Sequence, residues 1–182
     1  LADRAGRLWV STMGAGLRLV EGSNTRRVPQ TQTAGGNVIA LFEDSRGMVW
    51  HSGGGPLIGS SDGTSFQTFG PADGLLAGGI ACFAEDTSGA LWAASTSAVF
   101  RRDRPSSFVE VKDAAGEAIR GIACLKADAD GSMWLGSSDR GLLRWKGDRL
   151  NSVPLEDGLP VSAVQGIVED ASGFCWMTSG RS

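Results

Sequence analysis

The chain has 182 residues and a net charge of −3, with 17 Lys and Arg against 20 Asp and Glu. The basic residues form no continuous stripe, which argues against a nucleic-acid-binding protein. Apolar residues make up 41% of the sequence, and 27 Gly against 6 Pro exclude a collagen-like or proline-rich disordered chain. No run of 18 apolar residues occurs, so we expect membrane contact only through segments outside this chain.

One motif recurs five times along the sequence. Each copy places Asp, Gly and Trp at intervals of three residues, and successive tryptophans are 41, 42, 42 and 42 residues apart. A fixed period near 40 residues indicates a supersecondary unit that buries its faces against its neighbours. The copies are Asp3-Gly6-Trp9, Asp44-Gly47-Trp50, Asp86-Gly89-Trp92, Asp128-Gly131-Trp134 and Asp170-Gly173-Trp176.

The second unit predicts four short strands in chain order. Apolar and alternating stretches read as strands, while an Asp followed by Gly closes a tight hairpin. Four strands in a unit of about 42 residues are typical of a β-propeller blade. The predicted strands cover residues 38–42, 48–52, 57–60 and 65–69, with turns at 44–47 and 62–63.

These units predict an all-β fold. We expect residues 1–182 to form one partial β-propeller of four-stranded antiparallel blades, about four blades of a larger propeller. The first blade lacks its inner strand and the last has only two strands, so we expect the chain to begin and end within a blade. Exposed sheet edges invite pairing, and self-association follows as an expectation.

The motif distinguishes between propeller families. No Trp-Asp dipeptide and no Tyr occur, which argues against WD40, kelch and YWTD repeats. The Asp-box of sialidase-like propellers sets its Asp two residues before Gly, whereas here the spacing is three. The units instead resemble the two-component regulator propeller repeat, best in the last full unit, with Asp157-Gly158-Leu159-Pro160, the strand at 164–168 and Glu169-Asp170 before Gly173 and Trp176. Glu also precedes the Asp at Glu43 and Glu85, but Ala127 replaces it in one copy.

The resemblance implies a function. Such propellers precede a histidine kinase or a diguanylate-cyclase-type output and lie in the periplasm or otherwise outside the cytoplasmic membrane. The chain is therefore expected to be a non-catalytic sensing or interaction module that binds an unknown small molecule or glycan fragment, without metal or cofactor. Two alternatives remain: a streptogramin-lyase-like enzymatic propeller, and a pure protein-interaction scaffold.

The motif residues themselves are interpreted as structural. A position filled identically in every blade is expected to pack, and the Trp ring can lie between neighbouring sheets. Asp and Gly are assigned to the turn. The same reasoning treats Cys82 and Cys124, which occupy one column of adjacent units, as small packing residues rather than metal ligands. The dense basic group at Arg101 and Arg102 is expected to be a solvated strand and turn.

Residues that break the repeat are the candidates for ligand binding, because function usually lies on loops over a repeated scaffold. His51 is the only histidine and stands where the other units have apolar side chains. It could project into a site or be a hydrogen-bonded structural residue. Trp145 lies outside the Trp period, at the position of Val20, Ser61 and Asp103. The loop candidates are Asn37, Arg120, Asp139 and Arg140.

Overall fold

The computed structural model describes residues 1–12, 14, 16–28, 37–55, 57–76, 79–103, 107–154 and 163–179. These residues form seventeen strands and a short 3₁₀ turn at Pro71–Asp73. Among them, no helix is long or apolar enough to cross a membrane. The strands are β1 (Leu8–Thr12), β2 (Gly16–Glu21), β3 (Asn24–Arg27), β4 (Ala40–Glu43), β5 (Val49–Ser52), β6 (Ile58–Ser61), β7 (Phe66–Phe69), β8 (Cys82–Glu85), β9 (Leu91–Ala94), β10 (Val99–Arg102), β11 (Val109–Val111), β12 (Ile122–Ala127), β13 (Met133–Ser137), β14 (Gly141–Lys146), β15 (Arg149–Ser152), β16 (Val164–Glu169) and β17 (Cys175–Ser179).

The strands form five antiparallel sheets in which neighbours in sequence are neighbours in space. We call them blades 1 to 5: β1–β3, β4–β7, β8–β11, β12–β15 and β16–β17. The first strands of blades 2 to 5 contact one another in succession. The predicted all-β propeller fold with four-stranded antiparallel blades is confirmed, in full for blades 2, 3 and 4.

The strand bounds differ from the prediction by one or two residues. The first strand of blade 2 was expected at 38–42 but covers Ala40–Glu43. Val38 is buried and Ile39 donates its N–H to the Ser52 carbonyl at 2.9 Å, so both residues approach the sheet before regular pairing begins. The other three strands of that blade begin one residue later than expected, and the third also ends one residue later, at Ser61.

The Asp-x-x-Gly segments are the turns that join the first two strands of blades 2 to 5, and in blade 1 the corresponding turn at Asp3–Gly6 precedes β1. In blade 2 the Gly47 N–H donates to the Asp44 carbonyl at 3.0 Å, and Gly47 has a φ of 78°, a value that favours glycine. The Oδ1 atom of Asp44 accepts from the N–H groups of Arg46 and Met48. The same bonds recur at Asp3, Asp86 and Asp170.

The turns and loops lie at opposite ends of the sheets. Since the strands form an antiparallel meander, the motif turn and the turn between the third and fourth strands share one end, which we call the turn face. The opposite end, the loop face, carries the loops between the second and third strands and the connections to the next blade. Residues of the two faces are therefore separated by the length of the strands.

The hydrophobic core consists of seams between neighbouring blades. Trp9 packs with Val49 between blades 1 and 2, Trp50 with Leu91 between blades 2 and 3, and Trp92 with Leu135 between blades 3 and 4. Because side chains alternate along a strand, each motif Trp faces the next blade while the residue before it faces the previous one. The side chains of these three motif tryptophans thus lie between neighbouring blades.

Candidate functional site

Three of the predicted loop residues meet on the loop face. Arg120 lies in the connection from blade 3 to blade 4, and Asp139 and Arg140 lie in the loop between β13 and β14. The Arg140 Nη2 group donates to the Arg120 carbonyl at 3.3 Å, and the Ser137 hydroxyl donates to Asp139 Oδ1 at 2.7 Å. The side chains of Arg120, Asp139 and Arg140 are exposed. We call Arg120, Asp139 and Arg140 the loop cluster. It is a small surface of mixed charge on the loop face, where the connection from blade 3 enters blade 4.

Asn37 lies on the same face but in a different seam. Its Oδ1 atom accepts the Gly14 N–H at 2.7 Å, so the amide joins the β1–β2 loop of blade 1 to the connection that leads into blade 2. The side chain is half-buried. The structure thus gives Asn37 a structural contact and places it apart from the loop cluster.

His51 is not at the surface. The side chain is only 1% exposed, and its ring stacks on Phe66 with centroids 5.6 Å apart. It fits because Gly59 lies opposite on the paired strand, where any Cβ would overlap the imidazole. Neither ring nitrogen has a hydrogen-bond partner among the described residues, so the expectation of a hydrogen-bonded structural histidine is wrong in that respect. Burial lowers the pKa of His51 from 6.5 to about 4.

Trp145 lies in the seam between blades 3 and 4. It pairs with Met133 across β13 and β14, and its ring meets Trp92 edge-on with centroids 6.3 Å apart. The half-buried indole lines a cleft of about 540 Å³ that opens between the two blades near the turn face. We call it the 3–4 cleft. Its other lining residues include Asp86, Arg101, Val109 and Asp148.

An ion-pair network forms one wall of the 3–4 cleft. Arg101 contacts Asp86 at 3.1 Å and Asp103 at 2.8 Å, and its guanidinium lies 6.0 Å from the Trp92 ring centroid. Burial acts to raise the pKa of Asp86, but hydrogen bonds, including those from Ser88 and Trp92, outweigh it and lower that pKa to about 2. Asp86 is therefore ionised at neutral pH. Sequence reasoning assigned this Asp only to a turn, since no spacing rule reveals its contact with an arginine on a later strand.

One contact, between a glutamate and the turn of the preceding blade, is present at two seams and missing at a third. The Glu43 carboxylate accepts the Arg4 N–H at 3.1 Å, and the Glu85 carboxylate accepts both the N–H and the hydroxyl of Ser45. The glutamates before the motif Asp in blades 2 and 3 thus hold the turn of the preceding blade, whereas Glu169 of blade 5 accepts from Lys126 Nζ on β12 at 2.7 Å. Blade 4 has Ala127 at this position, so the turn of blade 3 has no such acceptor. The substitution was visible in the sequence, but its effect on a seam was not.

The position of Arg102 contradicts the expectation from the sequence. It was assigned to a solvated strand, but its guanidinium lies among three aromatic rings of the seam between blades 2 and 3. The distances from its Cζ atom to the ring centroids are 4.4 Å for Phe69, 5.5 Å for Phe108 and 5.7 Å for Trp50. Arg102 is half-buried because cation–π contacts and packing favour this position over bulk water.

Cys82 and Cys124 lie in the first strands of blades 3 and 4, whereas Cys175 lies exposed in the second strand of blade 5. Burial, with a smaller contribution from Cys124, raises the pKa of Cys82 to about 12, which keeps this thiol protonated and unreactive at neutral pH. Burial likewise raises the pKa of Cys124. Within the described ranges, no three His, Cys, Asp or Glu side chains are grouped so as to hold a metal ion.

Comparison with known proteins gives structural likeness at low sequence identity. No family model and no curated protein matches the chain. The extracellular domain of a protein assigned to the hybrid two-component systems of B. thetaiotaomicron aligns over 97% of this chain with a TM-score of 0.79 and 19% identity. That of a one-component system from the same organism aligns over 98% with a TM-score of 0.70 and 14% identity. A catalytically inactive variant of virginiamycin B lyase from Staphylococcus aureus, solved with quinupristin, aligns over 98% with a TM-score of 0.74 and 13% identity.

The chain spans 25% and 24% of the length of the two extracellular domains and 61% of the lyase. At these identities the likeness establishes the fold alone. It agrees with the resemblance of the repeats to two-component regulator propellers. This chain has the fold of the propellers in the extracellular domains of such signalling proteins.

Proposed function

We propose that this chain is part of the extracytoplasmic sensor region of a bacterial two-component-type signalling protein, where it acts as a non-catalytic ligand-sensing or interaction module. The single observation that carries the proposal is the alignment of 97% of the chain with the extracellular domain of a hybrid two-component system at a TM-score of 0.79. The motif spacing supports it independently, because the five copies resemble the repeat of that family throughout the chain.

The loop cluster is the surface we assign to sensing. Arg120, Asp139 and Arg140 are exposed, carry both charge signs, and depart from the repeat. A small molecule or glycan fragment with donors and acceptors could be held there by hydrogen bonds. Sensing further requires that the bound ligand favours one arrangement of the signalling protein over another.

A lyase activity is the second candidate, since a virginiamycin B lyase shares the fold. The only histidine of this sequence is 1% exposed and lies under Phe66 and opposite Gly59. A substrate could reach it only if the seam between blades 1 and 2 opened. This burial favours the sensing role over catalysis by His51.

The test uses the signalling protein that contains this chain, in membranes of its source cell. Alkaline phosphatase fused after residue 179 should be active and a fused green fluorescent protein dark, as expected outside the cytoplasmic membrane. A panel of small molecules and oligosaccharides should change output phosphorylation through the loop cluster, and Arg140→Ala should abolish the response. Turnover of quinupristin that is lost in His51→Ala would overturn the proposal in favour of a lyase.

A third role, as a pure interaction scaffold, gives a different result. In that case no ligand of the panel would raise the melting temperature of the protein, while a protein partner would still bind. The matched control is Arg149→Ala, because Arg149 is exposed at the start of β15, at the opposite end of the sheet from the loop cluster. An equal loss of response in both variants would contradict the assignment of the loop cluster.

A further inference from the structure

The 3–4 cleft lies near the opposite end of the sheets from the loop cluster and plays no part in the proposed function. Its wall in blade 4 is formed by Trp145, an indole where the corresponding positions of the other units hold Val20, Ser61 and Asp103. Its wall in blade 3 includes the apolar Val109, which is 66% exposed. A single departure from the repeat therefore creates an aromatic surface beside an accessible apolar strand.

Four of the five motif tryptophans have an arginine close to the ring. Arg7 lies 5.7 Å from the Trp9 centroid, and Arg144 lies 4.8 Å from the Trp134 centroid. Trp50 and Trp92 are covered in the same way by Arg102 and Arg101. By contrast, no arginine or lysine of the described ranges lies over Trp145. The negative face of this indole thus has no cation from the described residues.

The charges around the cleft have an excess of carboxylates. Asp86, Asp103 and Asp148 line it against the single guanidinium of Arg101. Glu110 and Lys112 also border the cleft, but they alternate along the chain with Val109 and Val111. Glu110 pairs with Phe100, which faces blade 2. Asp148 forms no ion pair with a described residue, so its carboxylate is a candidate partner for a cation in the cleft.

We propose that the 3–4 cleft binds an organic cation with an apolar body, such as an alkylammonium ion. The ammonium group would lie near Trp145 and Asp148, where cation–π attraction and carboxylate charge act together. The apolar body would cover Val109 and the exposed edge of the indole. An anion is repelled by the carboxylates, and a purely apolar molecule would remove Asp148 from water without compensation.

Such a ligand would connect two blades whose turns lack one contact that is present at two other seams. Blade 4 has Ala127 where Glu43 and Glu85 hold the turn of the preceding blade, so blades 3 and 4 lack that contact. A cation bound between Asp148 of blade 4 and Val109 of blade 3 contacts both. Binding to the folded protein alone then raises its stability.

The experiment titrates the 182-residue protein with n-butylammonium chloride, and in parallel with 1-butanol and with maltose, at constant ionic strength. The readouts are the indole N–H resonance of Trp145 and the melting temperature. We expect a saturable shift with n-butylammonium, a higher melting temperature, and weaker binding at high salt. 1-Butanol and maltose should give no saturable shift.

Two variants test the roles of Trp145 and Asp148 in binding. Trp145→Leu should weaken n-butylammonium binding about 2- to 30-fold, the range of a cation–π contact. Asp148→Asn keeps a residue that tolerates the positive φ of 58° at this turn and should weaken binding several-fold without disturbing the fold. The matched control Trp176→Leu removes an exposed indole far from the cleft and should leave binding unchanged.

Each contrary result overturns the proposal. These results are no saturable shift with n-butylammonium, an equal shift with 1-butanol, saturable binding of maltose at Trp145, or an equal loss of binding in Trp176→Leu. Because Trp145→Leu could unfold the seam, its melting curve is compared with that of Asp148→Asn. Failure of this test leaves the proposed sensor role intact, since that role is tested through Arg140 on the loop face.

Discussion

The indole Nε1 of Trp50 donates a 2.7 Å hydrogen bond to Oδ2 of Asp44, and both residues are almost fully buried. The same bond joins Trp and Asp in all five motif copies, at 2.7 to 2.9 Å. The carboxylate thus receives turn N–H groups on one oxygen and the indole on the other. The interval of six residues between Asp and Trp is set by this bond as well as by packing.

Trp50→Phe tests this bond in a buried setting. The variant removes one donor from the Asp44 carboxylate and leaves a gap in the core, so we expect the free energy of unfolding to fall by about 2–4 kcal/mol. Urea denaturation measures the change. Trp176→Phe is the matched control, because Trp176 is 66% exposed and should lose less than about 1 kcal/mol. Equal losses would show that burial does not determine the strength of this contact.

His51→Leu is expected to raise stability. It removes two buried nitrogen atoms without partners and introduces the residue that blade 4 has at the same position, Leu135. We expect a gain of about 1–2 kcal/mol at pH 5 in urea denaturation. A loss of stability at pH 5 would mean that the imidazole makes a contact in solution that the structure lacks.

The pH dependence of the unmodified chain gives a second test of His51. Its folded pKa of about 4 is below the ordinary 6.5, so the unfolded chain takes up the proton first as pH falls. Stability should therefore decline by about 3 kcal/mol from just above pH 6.5 down to about pH 4. The sequence has one histidine, so His51→Leu should flatten the curve between pH 5 and 6.5, where the carboxylates contribute little. An unchanged slope in the variant would contradict the assignment.

Arg102→Lys tests the aromatic surroundings of that guanidinium. Lys keeps the charge but loses the planar group that stacks over Phe69, so we expect a loss of about 1–2 kcal/mol in the free energy of unfolding. Arg149→Lys on β15 is the control, since Arg149 is exposed. If both substitutions have the same small effect, Arg102 contributes only its charge.

Ala127→Glu should supply the contact that the seam between blades 3 and 4 lacks. Its carboxylate is expected to accept from Thr87, the position that corresponds to Ser45 in blade 2. Because the site is partly exposed, we expect a gain of about 0.5–1 kcal/mol. Glu85→Ala, which removes the existing contact between blades 2 and 3, should lose a similar amount. A gain that persists with Ala127→Leu would point to packing instead of hydrogen bonding.

Self-association of the chain remains a prediction. Val168, Phe174 and Trp176 of blade 5 are 64%, 68% and 66% exposed, and Leu8 of blade 1 is 46% exposed. Such a patch favours association with another surface. Light scattering of the 182-residue protein should show oligomers whose fraction rises with concentration, and Phe174→Asp should reduce it. A sharp monomer peak at high concentration would contradict the prediction.

The sequence predicted the scaffold well because the repeat multiplies each local signal. Strands, turns and the packing of Trp9, Trp50 and Trp92 follow from period, turn chemistry and alternation. The same turn occurs a further time at Asp113 and Gly116, where the Gly N–H donates to the Asp carbonyl at 2.9 Å, but no Trp follows and the sequence reading passed over it. A single Asp-x-x-Gly segment without the following Trp is too weak a signal to predict a turn from the sequence.

The candidate sites were harder to predict because they depend on distances between blades. Arg120, Asp139 and Arg140 were chosen one by one as departures from the repeat, and the fold brings them together through two loops. Trp145 was noticed for its position, but the cleft also needs Asp86 and Asp148, which look like ordinary turn residues. His51 shows the reverse case. It looked like a functional residue because it is the one polar side chain at an apolar position, but it is buried opposite Gly59 on the next strand.

The motif tryptophans that pack into the following blade, together with the glutamate contacts of blades 2 and 3, make these blades directional. A repeat carries, on one face, the ring that enters the following blade and, on the other, the apolar residues and the carboxylate that meet the preceding one. Duplication of a single 42-residue unit would therefore bring both halves of a new junction in one step. Chains built this way can change their number of repeats by gene duplication without redesign of any interface, and new binding surfaces can then arise by change in one copy.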